Sequence, residues 1–368
     1  MSRNLDKLKV AIVSDHCFSF AGASYTTKVI GNIFENPDYF FLMGNRHEAI
    51  KYFNTTNIYF SFLNRFPFIE KYYRYTYPLW PFAIESFDLS KYDLVISSSF
   101  SVSHGVITGP HTKHIAYIHT PMRYAWDLYT EYFGNSSFIK REVIYFFLNI
   151  LRIWDVSASN RADIVIANSK FVKDRIYKYW KRSPDKVIYP PVPLYNGDVH
   201  KNRGEYLVAG SPFEINKKGE FLLRCAVDIG FNLKLIGTGS TFKKLRKEYS
   251  KYKNIEFLGK ISEEKKWDIL SHARGFVCAG IEDFGIFPVE AMSCGTPVLA
   301  YMGGGYINTV VDKENGMFFK SHSIDEFKSV YEEFISFNWN REGIVRYASQ
   351  FSEDRFKSEI EQVILKNL

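Results

Sequence analysis

The sequence predicts an α/β protein made of two successive domains, each a parallel sheet covered by helices on both faces. Three observations carry that prediction. Short, continuous apolar runs recur with helix-length segments between them, the scheme occurs twice, and a proline-containing stretch without helical period divides the two sets. In the first half the runs are KVAIVSD (9–15), YFFLM (39–43), DLVISSS (93–99), HIAYIH (114–119) and DIVIANS (163–169). In the second they are EYLVAG (205–210), LKLIG (233–237), IEFLG (255–259), GFVCAG (275–280) and TPVLAY (296–301). Strands that are apolar throughout, rather than alternating, are buried on both faces, so each set reads as a Rossmann-like unit. The stretch 188–204, with three prolines and two glycines, reads as the interdomain linker with a cleft beside it.

Composition narrows the class. A chain of 368 residues that is 46% hydrophobic and 24% charged is expected to be globular and soluble, with about two domains. Cys17, Cys225, Cys278 and Cys294 lie far apart without zinc-ligand spacing, which predicts reduced, buried thiols in a cytosolic protein. Lys and Arg exceed Asp and Glu by 47 to 40, and that mild excess suits an anionic small molecule or an anionic membrane surface rather than nucleic acid. No signal peptide is evident, and the uncharged run Val143–Leu151 is half the length that spans a bilayer, so membrane contact is expected to be peripheral. Two segments offer such a face: the aromatic and basic stretch within 50–90, which otherwise reads as an inserted helical hairpin filling core, and the helical pattern 136–155, which otherwise reads as a core-facing helix.

The residues that can carry chemistry concentrate in a few runs. In GIEDFGIFPVEAMSCGTPVLAYMGGG (280–305), Glu282 is expected in the loop that follows a parallel strand and Glu290 in the first turns of the next helix. Paired carboxylates suit polyol recognition because each accepts two hydroxyl hydrogen bonds, and the backbone N–H groups of Phe284, Gly285 and Ile286 are available to sugar or phosphate oxygens. In YIHTPMRYAWDLY (117–129), His119 ends an apolar strand and borders the expected cleft. Gly22, in the loop Ala21-Gly22-Ala23-Ser24 after the first strand, permits close approach of the backbone to a ligand. The run LIGTGS (235–240) lacks the third glycine of a dinucleotide fingerprint, and the chain has no D-x-D, H-E-x-x-H or P-loop lysine motif, so nicotinamide, metal-dependent and NTP-hydrolysing chemistries lack their residues. His111 and His114 read as surface histidines in a loop rather than as a metal site.

With its two carboxylates, the run D-F-G-I-x-P-V-E-A-M-x-C-G-T-P-V resembles the retaining nucleotide-sugar glycosyltransferases of family 4. The resemblance covers nearly the whole chain: Asp93-Leu94-Val95-Ile96-Ser97-Ser98-Ser99, Ile166-Ala167-Asn168-Ser169, Ile188-Tyr189-Pro190-Pro191-Val192 and Asn254-Ile255-Glu256-Phe257-Leu258-Gly259 fall in family order. It implies the GT-B fold, two Rossmann-like domains facing each other across a cleft, with residues 1–190 binding acceptor and 191–351 binding the nucleotide sugar. It also implies a last helix, about 352–368, that returns to the first domain. By the same resemblance Glu282 contacts hydroxyls of the donor sugar, Glu290 the nucleotide ribose, and His119 the donor sugar from the N-terminal domain.

The wording H-T-P-M-R-Y-A-W-D is most similar to bacterial mannosyltransferases that use GDP-mannose to build O-antigen or other surface polysaccharide. This implies a cytoplasmic enzyme, peripheral at the inner face of the membrane. It would move a hexosyl group to a lipid-linked glycan with retention and without metal. Two departures from the family stand out. Ala21 and Ser24 replace the usual glycine and glutamate of the first loop, and Ser211 occupies the place of a diphosphate-gripping arginine, with Lys217 and Lys218 arriving slightly late. Those two lysines are the expected replacements, as charge for the departing diphosphate. A UDP-sugar donor and a non-catalytic glycan-binding scaffold of the same fold remain the alternatives.

Overall fold

The computed structural model describes residues 5–18, 20, 22–134, 137–200, 202–211 and 213–368. They form two compact units, residues 1–191 with 353–368, and residues 192–352. The first runs β1 (Val10–Cys17), α1 (Gly22–Gly31), β2 (Asp38–Gly44), α2 (Arg46–Phe53), β3 (Ile58–Phe60), α3 (Ile69–Tyr72), α4 (Trp80–Glu85), β4 (Leu94–Ser99), β5 (Lys113–Ile118), α5 (Tyr129–Phe133), α6 (Phe138–Ala158), β6 (Ile164–Ala167), α7 (Lys170–Trp180) and β7 (Lys186–Val187). The second runs β8 (Tyr206–Gly210), α8 (Gly219–Ile229), β9 (Asn232–Ile236), α9 (Phe242–Tyr249), β10 (Ile255–Gly259), α10 (Glu263–His272), β11 (Gly275–Cys278), α11 (Ile286–Ser293), β12 (Val298–Tyr301), α12 (Tyr306–Thr309), β13 (Gly316–Phe319), α13 (Ile324–Ser336) and α14 (Arg341–Ser349). The last helix, α15 (Glu353–Asn367), belongs to the first unit.

Both sheets are parallel and Rossmann-like, with strand orders β3-β2-β1-β4-β5-β6-β7 and β10-β9-β8-β11-β12-β13. The order reverses direction between β1 and β4 in one sheet and between β8 and β11 in the other. The loops that leave the C-terminal ends of those strands diverge there, which opens a crevice for ligand. In the first unit Asp15, wholly buried on β1, accepts the backbone N–H groups of Phe100, Ser101, Val102 and Ser103 at 2.6–2.9 Å. Burial raises its proton affinity and those N–H bonds oppose the rise. One carboxylate thereby fixes the loop after β4 at that crevice.

α15 completes the first core. Phe356, Ile360, Val363 and Ile364 pack with Val10, Ile12, Val29 and Ile30, and the Tyr25 hydroxyl on α1 donates to Glu353 at 2.8 Å.

Three differences from the sequence reading have physical causes. Strands β3, β7 and β13 were not anticipated: β3 and β7, three and two residues long, carry too little periodicity to register, and the short β13 was missed as well. The 50–90 stretch forms short α and 3-10 segments instead of a helical hairpin, with Pro78 inside one of them. Tyr77, Trp80, Ala83 and Ile84 from it are core, whereas Phe68, Tyr75 and Phe82 are exposed. His114 is not a surface loop residue: it lies inside β5, fully buried, with Nε2 2.9 Å from the Ser97 hydroxyl. The four cysteines are buried and free.

Candidate active site

The three serines that end β4 each meet a different histidine, because alternate residues of a strand face opposite sides of the sheet. Ser97 meets His114, Ser99 meets His104 at 3.1 Å, and Ser98 meets His119 Nε2 at 2.9 Å. His119 follows the last residue of β5, and its own N–H donates to the Ser99 carbonyl at 2.7 Å. The Thr27 hydroxyl from α1 lies 2.9 Å from Ser98 Oγ, so the ring of His119 is held through a side-chain chain that starts on the neighbouring helix. Burial pushes the His119 pKa down to about 3, which leaves the imidazole neutral near pH 7. Gly22 opens α1 and its carbonyl accepts from the Thr26 hydroxyl at 3.0 Å. Ala21 lies outside the described residues.

In the second unit, β8 leads into Ser211, a 3-10 turn (Ile215–Lys217) and then α8, while β11 leads through Glu282 into α11. Ser211 and Lys218 both have left-handed backbones, φ 48° and 54°, a strained state for residues with a Cβ that is retained where the surrounding structure demands it. The two loops touch. A Cβ on Gly280 would come within 2.5 Å of Lys217 Cα, and Ile281 N–H donates to the Asn216 carbonyl at 3.3 Å. Glycine at 280 thus lets the Lys217 turn lie directly on the Glu282 loop, and the Lys217 ammonium forms an ion pair with the Glu282 carboxylate.

Of the sequence-predicted residues, Lys217 and Glu282 are brought together, whereas Lys218 and Ser211 are exposed. Phe284 is buried, with its ring edge-on to Phe351 at 5.4 Å, and anchors the loop. Gly285 follows with φ 93°, and α11 starts at Ile286. The amides of Gly285 and Ile286 therefore stand at the positive end of a helix dipole.

Glu290, one helical turn further on and only 7% exposed, lies 2.8 Å from the Lys266 ammonium of α10, which also reaches Glu263 at 2.7 Å. Burial pushes the Glu290 pKa up to about 7, against the pull of Lys266. Burial works to lower the Lys266 pKa, but Glu290 and Glu263 outweigh it and the pKa rises. Sequence reasoning missed Lys266. Nothing in E-E-K-K distinguishes the second lysine except the amphipathic spacing that turns it inward.

The chain matches family models over most of its length. Residues 44–195 match Glycosyltransferase Family 4 and residues 215–351 match Glycosyl transferases group 1. Among curated relatives, an uncharacterised glycosyltransferase of Methanocaldococcus jannaschii is 28% identical over 205 residues, 53% of this chain and 56% of that protein. A GDP-Man:Man(3)GlcNAc(2)-PP-Dol alpha-1,2-mannosyltransferase of Mus musculus is 27% identical over 209 residues, 47% of this chain and 42% of that protein. The chain thus spans about half the length of these relatives. Among solved structures, Anabaena HepE in complex with UDP and glucose superposes with a TM-score of 0.70 at 16% identity, over 98% of this chain and all of that one. The fold is GT-B, and residues 44–195 and 215–351 each match a glycosyltransferase family model.

Proposed function

We propose that this chain, GT-B in fold and matching a glycosyltransferase family model in each half, transfers mannose from GDP-mannose to a lipid-linked glycan with retention of anomeric configuration, in surface polysaccharide synthesis. The observation that carries the reading is the ion pair of Lys217 with Glu282, placed where β8 and β11 diverge and one loop from the buried carboxylate of Glu290. In this reading Glu290 accepts hydrogen bonds from the ribose and Glu282 from the sugar hydroxyls. Lys217, with the amides of Gly285 and Ile286, offsets the charge that develops on the departing diphosphate. The acceptor hydroxyl attacks from the face the diphosphate leaves, and its proton passes to a phosphate oxygen. The C1–O bond to phosphate breaks as the new glycosidic bond forms, with no protein nucleophile. His119, neutral and oriented by Ser98, is assigned to the donor sugar by resemblance to the family. The enzyme works in the cytoplasm, peripheral at the inner face of the membrane, and needs no metal.

The donor assignment is supported by the run H-T-P-M-R-Y-A-W-D and by relatives that carry mannosyltransferase names. Titration calorimetry with GDP and UDP, followed by a transfer screen of GDP-mannose against UDP-sugars, tests it. GDP binding with mannosyl transfer is expected. A preference for UDP overturns the donor, and glycan binding without turnover on any sugar nucleotide overturns catalysis and makes the chain a scaffold.

A further inference from the structure

We infer that the outer side of α6, together with the adjoining aromatic segment 62–82, docks the first unit on an anionic lipid bilayer. α6 is apolar on two opposite sides. Ile144, Leu148, Leu151 and Ala158 face the core, while Ile139, Val143, Phe146, Ile150 and Ile153 are 77%, 51%, 64%, 50% and 67% exposed. Leaving five large apolar side chains of one helix in water at that spacing is costly, and a surface of that extent marks an interaction site. The stripe does not end at the helix. Lys140 lies over the ring of Tyr75 at 5.9 Å, which joins it to a patch in which Phe68, Tyr72 and Tyr75 are 79%, 47% and 69% exposed.

The chemistry of the rim selects the occupant. Arg65, Lys71, Arg74, Lys140 and Arg141 surround the apolar surface, against Glu70 and Glu142. Besides Lys140, two of these cations lie against exposed rings of the same surface, Lys71 at 5.1 Å from Tyr72 and Arg141 at 5.8 Å from Phe138, while Arg74 lies 5.7 Å from the half-buried Tyr73 at its edge. Rings and stems that enter the acyl boundary, with cationic heads at phosphate level, are the arrangement of an interfacial anchor. A helix seam for a second copy would use the α6 stripe alone and leave the aromatic patch of 62–82 and its cations uncovered. No helix among the described residues is long and apolar enough to cross a membrane, so α6 lies in the interface plane. The surface deepens the lipid-linked acceptor reading, since it would hold the enzyme where such an acceptor resides.

Co-sedimentation of the full chain with phosphatidylcholine vesicles, with and without phosphatidylglycerol, tests the inference. Binding is expected to require phosphatidylglycerol and to weaken with salt. The exposed-face variant Ile139→Ser/Phe146→Ser/Ile153→Ser should lose at least about a hundredfold in vesicle affinity while keeping its circular dichroism and its GDP affinity. Lys71→Glu/Arg74→Glu/Lys140→Glu should lose the preference for phosphatidylglycerol. Absence of binding to anionic vesicles at low salt, or wild-type binding by both variants, overturns the inference. So does a wild-type dimer that the apolar variant dissociates without any vesicle binding, since that gives the face to a second copy. Vesicle binding does not depend on the donor: a chain that binds vesicles but not GDP loses the mannosyl reading and keeps this surface.

Discussion

Lys217 and Glu282 neutralise each other across the two loops that leave β8 and β11. A diphosphate placed there shares its cation with a carboxylate, and the carboxylate keeps that cation from swinging into solvent. The left-handed Lys218 has no such tether. Its neighbour in sequence is therefore not its substitute.

Lys217→Ala is expected to lower kcat by roughly a hundredfold, the scale of one lost preorganised charge contact, while Lys218→Ala stays near wild type. Steady-state kinetics of the two variants with the same donor measure the difference. Equal losses would show that the tether does not select between them.

The Glu290–Lys266 pair predicts how GDP binding responds to pH. With its pKa near 7, Glu290 takes up a proton as pH falls through about 7, and GDP affinity should fall with it. Removing the cation in Lys266→Met raises the Glu290 pKa further, so the loss of affinity should begin at more alkaline pH, at about tenfold per pH unit below the new value. Calorimetric titration across pH reads the displacement. A pH-independent loss would mean that Lys266 serves packing alone.

Acid should act on the two units with opposite sign. His16, His114 and His119 are pushed by burial from 6.5 to about 4, 3 and 3. The unfolded first unit thus binds protons below pH 6.5 that the folded one refuses. Its unfolding free energy should drop by ~1.4 kcal/mol per pH unit for each histidine as pH falls through that window. Glu290 in the second unit has the raised value, so its term favours the folded state as pH falls towards its unfolded value of 4.5. Urea midpoints followed across pH should fall steeply, and His114→Phe should flatten the slope.

Turnover is expected to persist in excess EDTA, because Lys217 and the α11 amides supply the charge that a divalent ion would otherwise bring. Transfer that collapses on chelation and returns with magnesium or manganese would refute this.

The doubly wound pattern was legible because each central strand carries a continuous apolar run and is four or more residues long. Edge strands such as β7, with two residues, fall below that threshold. Glu282 and Glu290 were legible because only a loop and one helical turn separate them, so local spacing fixes their neighbourhood. Lys266 and Ser98 were not, since each acts through a partner on another element and tertiary packing alone decides the pairing. The exposed apolar side of α6 was half legible. Its basic start and apolar spacing were visible in sequence, but spacing cannot say which apolar side is covered.

Because α15 closes the first core after the whole second unit has been made, synthesis order and folding order conflict. On the ribosome, Val10, Ile12, Val29 and Ile30 await their cover while residues 192–352 are translated, roughly ten to thirty seconds at ~5–20 residues per second. During that interval the nascent chain offers a grease patch to chaperones and to its own kind. Removal of α15 would leave that patch uncovered for good, so yield in the cell should respond to edits in α15 more than to edits in any exposed loop of the second unit.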